Sequence, residues 1–192
     1  MAHDEILEAL HDVVKAGKVL YLGASAMFAW QFMKMLGRAD QLGLTRFISM
    51  QNYYNLAYRE EEREMLPLCS SEGIGVIPWS PLARGRLTRA WSEETARTRT
   101  DQYGSKLYAS DVEADRRVIE RVAALAAARG VPRAQIAVAW IAQKPFVTAP
   151  IIGASKPQHL TDAVAALSLK LEASEIEQLE APYVPHQVVG HI

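Results

Sequence analysis

Apolar positions along this chain alternate between a helical period and short unbroken runs. From Asp4 to Ala16, Ile6, Leu10, Val13 and Val14 recur at helical spacing, and Gly17 follows as a stop. Lys18 to Leu22 reads as a short buried strand that ends at Gly23-Ala24-Ser25. From Phe28 to Leu42, one stripe carries Phe28, Phe32, Met35, Leu36 and Ala39, and Gly43 closes the helix. Phe47 to Met50 is a second strand, ending at Gln51-Asn52. Glu60 to Ser71 is helical despite Pro67, and Glu72-Gly73 turns the chain into a third strand, Ile74 to Ile77.

A connection of mixed polarity runs from Leu82 to about Ser110, a length typical of functional loops. Asp111 to Arg129 is an Ala-rich helix with Val118, Val122, Leu125 and Ala126 facing inward. Pro132 opens another helix at its first position, where a missing N–H costs nothing. Val147 to Ile152 is the fourth strand, with Pro150 marking an edge or bulge. Pro157 starts the following helix, and Ser174 with Glu177 forms the capping box of a last short one.

Strand followed by helix, repeated with apolar strands, predicts a parallel sheet with helices outside it. A doubly wound sheet would carry a Gly-rich fingerprint after its first strand, and Gly23-Ala24-Ser25-Ala26 is not one. A (β/α)8 barrel is the better reading, although such barrels take eight strands and about 250 residues. Four strands in 192 residues make half of one.

Composition narrows the class. A 49% hydrophobic and 22% charged chain is that of a soluble globular protein. A formal charge of -1 gives no nucleic-acid footprint, and the five arginines between Arg84 and Arg99 are not interleaved with aromatics as a base-stacking surface would require. The single cysteine, Cys69, sits among Leu66, Pro67 and Leu68 and reads as a small buried hydrophobe in a reducing compartment. No apolar run approaches the roughly 18 residues of a membrane span. The start Met1-Ala2-His3-Asp4-Glu5 has no signal layout, so a cytoplasmic location is expected.

In a parallel barrel the chemistry lies at the carboxyl ends of the strands. Those ends offer Ser25, Gln51-Asn52, Trp79-Ser80 and Gly153-Ala154-Ser155-Lys156. Ser25, Gln51 and Asn52 are neutral hydrogen-bonding groups suited to a carboxamide, and Trp79 offers a flat face to an aromatic ring. Ser155 and Lys156 precede a helix N-terminus, which favours phosphate. Taken singly, each also fits an ordinary role. Trp79 fits the core, Lys156 a solvated surface, Ser25 a helix cap, Gln51-Asn52 a turn, and His159 either surface or adenosine contact.

Four motifs in order resemble the C-terminal half of an aldo-keto reductase. They are Lys15 to Ser25, Ser49 to Leu56, Gly73 to Gly85 and Ile152 to Pro157, and together they cover nearly the whole chain. The flavour is nearer the bacterial and potassium-channel-β-like branch than the aldose reductase branch. The resemblance implies NADP(H) bound in an extended conformation at a barrel mouth. Ser25 and Gln51 would hold the nicotinamide carboxamide, with Trp79 stacked on the ring. Ser80, Leu82, Arg84 and Arg86 would line the pyrophosphate. Gly153, Ser155 and Lys156 would meet the 2′-phosphate, with His159 and Asp162 flanking adenosine.

Three positions depart from the pattern. Ala26 stands where many members have asparagine, His159 replaces a common arginine, and Ala163 replaces a common asparagine. The family's catalytic aspartate, tyrosine, lysine and histidine lie on its first four strands. This chain starts at the helix before the fifth, so no catalytic residue is assigned. The expected partner is a small carbonyl substrate if an N-terminal half completes the barrel. Open strand edges at Val19, Leu20 and Tyr21, and at Ile151 and Ile152, predict self-association or pairing. The competing expectations are a non-catalytic NADP(H)-binding regulatory subunit and an inactive truncated remnant.

Overall fold

The computed structural model describes residues 3–93, 107 and 112–190. Helix α1 (His3–Lys15) ends in a Schellman cap. Gly17 takes the left-handed conformation (φ 69°), and the N–H groups of Gly17 and Lys18 bond to the carbonyls of Val14 and Val13. That cap delays the first strand. β1 is Leu22–Ser25 and not the expected Lys18–Leu22, because its partner reaches back only to Phe47. Val19, Leu20 and Tyr21 lie outside the sheet, with Leu20 79% and Tyr21 70% exposed.

Helix α2 (Ala29–Leu42) buries Phe32, Met35, Leu36 and Ala39 against the sheet. Phe28 departs from the expected stripe: it is the exposed N-cap residue, held where Gln31 Oε1 accepts its backbone N–H. β2 (Phe47–Gln51) pairs in parallel with β1 and with β3 (Gly75–Val76). Between β2 and β3 the expected single helix is two pieces, a 3-10 turn (Glu60–Glu62) and α3 (Met65–Ser71). Cys69 on α3 is fully buried, which pushes its thiol pKa up to about 11.

Among the described residues the sheet has three strands, and the expected fourth contributes only an edge. Val147 makes one parallel bridge to Val76, and the Thr148 N–H donates to the Val76 carbonyl at 2.8 Å. Thr148 Oγ1 accepts the Val76 N–H at 3.1 Å, a ladder bond supplied by a side chain. Pro150 has no N–H to give, and pairing resumes only at Ile151, which donates to the Pro78 carbonyl at 2.9 Å.

Helices α4 (Val112–Arg129), α5 (Arg133–Ala142), α6 (Pro157–Ala166) and α7 (Ala173–Glu180) complete the outer layer. Pro132 is the N-cap of α5, one position before the first turn assigned to it from sequence. Residues Ile136 to Ile141 are all buried, as expected for a helix packed between α4 and α6. The capping box of α7 is Glu172 with Glu175, displaced from Ser174 and Glu177 because the helix starts at Ala173.

The sheet has two unlike faces. Leu22, Ala24, Phe47, Met50 and Val76 are buried beneath the helices, and the Phe32 and Phe47 rings meet at 5.9 Å. The opposite face carries Gly23, Ser25, Ser49 and Gln51, which are exposed or half-buried.

Candidate functional site

At the carboxyl end of the sheet, Ser25 and Gln51 are register partners across β1 and β2. Ser25 Oγ donates to the Gln51 carbonyl at 3.0 Å, as does the Ala26 N–H at 3.3 Å. Ala26 bends the chain there with a positive φ of 51°. Ser25 is exposed and Gln51 half-buried, so both present polar side chains at the rim. Asn52, in contrast, points inward: it is 1% exposed and its Nδ2 donates to Glu61 Oε2 at 3.1 Å. The next strand end follows directly, since the Trp79 N–H donates to the Asn52 carbonyl at 2.8 Å and Trp79 bridges Tyr53 in parallel.

Trp79 is half-buried, and one of its faces is covered. Its ring lies 4.4 Å from that of Tyr53 at an interplanar angle of 22°. Tyr53 stacks in turn on Tyr58 at 4.4 Å and 25°. The indole is therefore braced at the strand end while packing partly against the core.

After Trp79 the backbone turns sharply. Ser80 (φ 59°), Ala83 (φ 48°) and Arg84 (φ 55°) are non-glycine residues in the left-handed region, each costing on the order of 1–3 kcal/mol. Packing maintains the strain, with Ala83 and Leu87 fully buried. Gly85 takes a φ of 90°, a left-handed conformation that favours glycine. The first part of the long connection is thus ordered as a 3-10 turn, Ala83–Thr88, kinked at Arg84 and Gly85. It carries Leu82, Arg84 and Arg86 at its start, and the Arg86 guanidinium lies over the Trp91 ring at 5.6 Å. Arg97, Arg99, Tyr103 and Tyr108 lie outside the described residues.

The bond from Ile151 to Pro78 sets the Ile152–Lys156 segment beside the Trp79–Ser80 turn. Lys156 is the N-cap of α6 in extended conformation, Pro157 follows as its first residue, and Gly153, Ser155, Lys156 and His159 are exposed. The Ser155 N–H donates to His159 Nδ1 at 3.3 Å, closing the loop over the first helical turn. Asp162 is half-buried and accepts from Gln135 and Gln158, each at 3.1 Å. Asp162 therefore braces α6 on α5.

A polar network that no sequence pattern signals ties the C-terminal segment to the loop after β2. Glu60 accepts from the Tyr183 hydroxyl (2.6 Å), the His186 N–H (2.7 Å) and Arg63 (2.6 Å). Burial pushes the Glu60 carboxyl up, and these three donors outweigh it and hold it below its ordinary value. Glu180 takes Lys144 (2.6 Å), Trp140 (2.8 Å) and Arg59 (2.9 Å), and is likewise lowered against its burial. His186 meets Asp115 at 3.0 Å, both side chains being nearly inaccessible. The hydroxyls of Tyr54, Tyr58 and Tyr183 face Glu62, Val189 and Glu60, and burial raises all three pKa values.

Among the described residues there is no cluster of ligands able to hold a metal ion, and no helix is long and apolar enough to cross a membrane. The model of the Aldo/keto reductase family matches residues 2–183. A Schizosaccharomyces pombe protein bearing an aryl-alcohol dehydrogenase name is 47% identical, over 98% of this chain and 53% of its own length. The versiconal hemiacetal acetate reductase of Aspergillus parasiticus is 46% identical, over 96% of this chain and 54% of its own. An aldo-keto reductase of Fusarium vanettenii is 44% identical, over 97% and 50%. The chain spans about half the length of these relatives. It belongs to the aldo/keto reductase family, and its parallel sheet with outer helices is a segment of that family's (β/α)8 barrel.

Proposed function

We propose that this chain is the dinucleotide-holding part of an NADP(H)-dependent aldo-keto oxidoreductase. The observation that carries this reading is the order of the strand ends. Ser25 is the register partner of Gln51, Trp79 bonds to Asn52 beside Gln51, and Ile151, just before the Gly153–Lys156 loop, bonds to Pro78 beside Trp79. Their chemistry runs in the same direction as an extended dinucleotide, from carboxamide-binding groups through an aromatic plate to a cation at a helix N-terminus. When bound, NADPH supplies the hydride that converts a carbonyl to an alcohol.

The side chains divide the work. Ser25 and Gln51 orient the carboxamide, and Trp79, braced by Tyr53, fixes the plane of the nicotinamide. The turn carrying Ser80, Leu82, Arg84 and Arg86 lies along the pyrophosphate, and its cations offset that charge. Gly153, Ser155 and Lys156 meet the 2′-phosphate, and His159, already bonded to the Ser155 N–H, sits beside it. One of the relatives is named for an aryl alcohol and another for a hemiacetal acetate, so the reaction class carries over better than any substrate.

The family's acid–base residues belong to strands with no counterpart in this chain, so the chain alone binds the cofactor without turnover. It pairs with the remaining half-barrel, or with a second copy, through the edge of β1. A thermal-shift titration with NADPH, run beside an aldehyde reduction assay, tests both statements. A rise in melting temperature without NADPH consumption is expected. No shift at millimolar NADPH contradicts cofactor binding, and turnover by the isolated chain contradicts the division of the site.

A further inference from the structure

We propose that Asn55 is a positioning residue that holds the Ser80–Arg84 turn in its strained, cofactor-facing shape. This rests on the cofactor reading above and names a residue with no place in it so far. Asn55 is fully buried, and every polar atom of it is used. Its backbone N–H and carbonyl pair with the carbonyl and N–H of Tyr58, each at 3.0 Å, closing a tight turn. Its side-chain Oδ1 accepts the Ala57 N–H at 2.9 Å within that turn. Its Nδ2 instead crosses to the next strand end and donates to the Ser80 carbonyl at 3.1 Å.

The Ser80 carbonyl stands at the point where extended backbone gives way to the left-handed region. Its two acceptor sites are divided between the Ala83 N–H (2.9 Å), which closes the turn, and Asn55, which anchors it. The anchor is rigid, because the preceding residues of both segments are already joined by the Trp79 bond to Asn52 and the bridge of Trp79 to Tyr53. Without Asn55, the turn would lose its side-chain tie to the sheet, and its internal bonds to the Leu82 carbonyl would open more often. Three non-glycine residues with positive φ would then be held by packing alone, with less to oppose their relaxation. The Gly153–Lys156 loop, held instead by the Ile151 bond to Pro78, would stay in place.

The test is the Asn55→Ala variant, with dissociation constants for NADPH and for adenosine 2′-monophosphate measured by calorimetry. NADPH is expected to bind at least about tenfold more weakly, while adenosine 2′-monophosphate changes by less than about twofold. Parallel weakening of both ligands, or no weakening of either, would overturn the proposal. Asn55→Asp at pH 8 serves where the alanine variant fails to fold, since it keeps an acceptor for the Ala57 N–H and lacks the donor to Ser80. Amide exchange of Gly85 and Leu87, which donate to the Leu82 carbonyl, is read without any ligand. Faster exchange there, with α4 and α5 unchanged, is expected of the variant, and unchanged exchange sinks the proposal. If the wild-type chain binds no NADPH, the cofactor reading falls, and the exchange result still decides the role of Asn55.

Discussion

Lys156 shows how much one side chain can decide. It is exposed at the N-cap of α6, beside backbone N–H groups that have no helical partner. A phosphate on the ribose gains a charge-assisted bond there, and a ribose hydroxyl gains little. Lys156→Ala is expected to weaken NADPH by about tenfold and leave NADH within a factor of about two, measured by calorimetry. Equal losses for both would place Lys156 elsewhere on the cofactor. Glu60 and Glu180 make a second expectation at this scale. Both carboxyls have folded pKa values below the ordinary 4.5, so the unfolded chain binds their protons more readily. Their stabilisation is complete above about pH 4.5 and is lost as pH falls through the lowered values. The melting temperature should be steady from about pH 5 upward and fall below it, with a shallower fall in Glu60→Gln. The residues at strand ends were legible because each follows a recognisable apolar run. Glu60 was not, because its partners Tyr183 and His186 lie 123 and 126 positions away. Nor was Asn55, whose value depends on which carbonyl faces it.

At the scale of elements, sequence patterning located the helices and misplaced strand ends for identifiable reasons. Val19 to Tyr21 have strand composition, but a strand exists only where a neighbour pairs with it, and β2 begins opposite Leu22. Pro150 was rightly a warning, and the structure adds that Thr148 substitutes a hydroxyl for a missing ladder acceptor. Val76 is fully buried, so removing that hydroxyl leaves its N–H without a partner. Thr148→Val should therefore cost about 1–3 kcal/mol in chemical denaturation, despite its nearly equal volume. A neutral effect would show that the edge is held by packing alone. Cys69, buried on α3 with its thiol pushed up to about 11, should resist thiol reagents until the chain unfolds.

For the molecule as a whole, sheet and helices close one apolar core, and exposed apolar groups gather elsewhere. Leu20, Tyr21 and Trp30 lie near the β1 side, and Leu160, Val164 and Leu167 recur along one stripe of α6 and its end. The relatives are about twice as long, and their family fold is a closed barrel. Those two patches are thus the expected seams for association. Sedimentation at micromolar concentration should show a dimer, or a complex once the other half is supplied, and a stable monomer in both settings would contradict this. Trp79 reports directly on the cofactor site. NADPH titrated into the wild-type chain should quench tryptophan fluorescence to saturation, and Trp79→Phe should lose most of that quenching. Equal quenching in both proteins, or none in the wild type at millimolar NADPH, would contradict the site proposed for this chain.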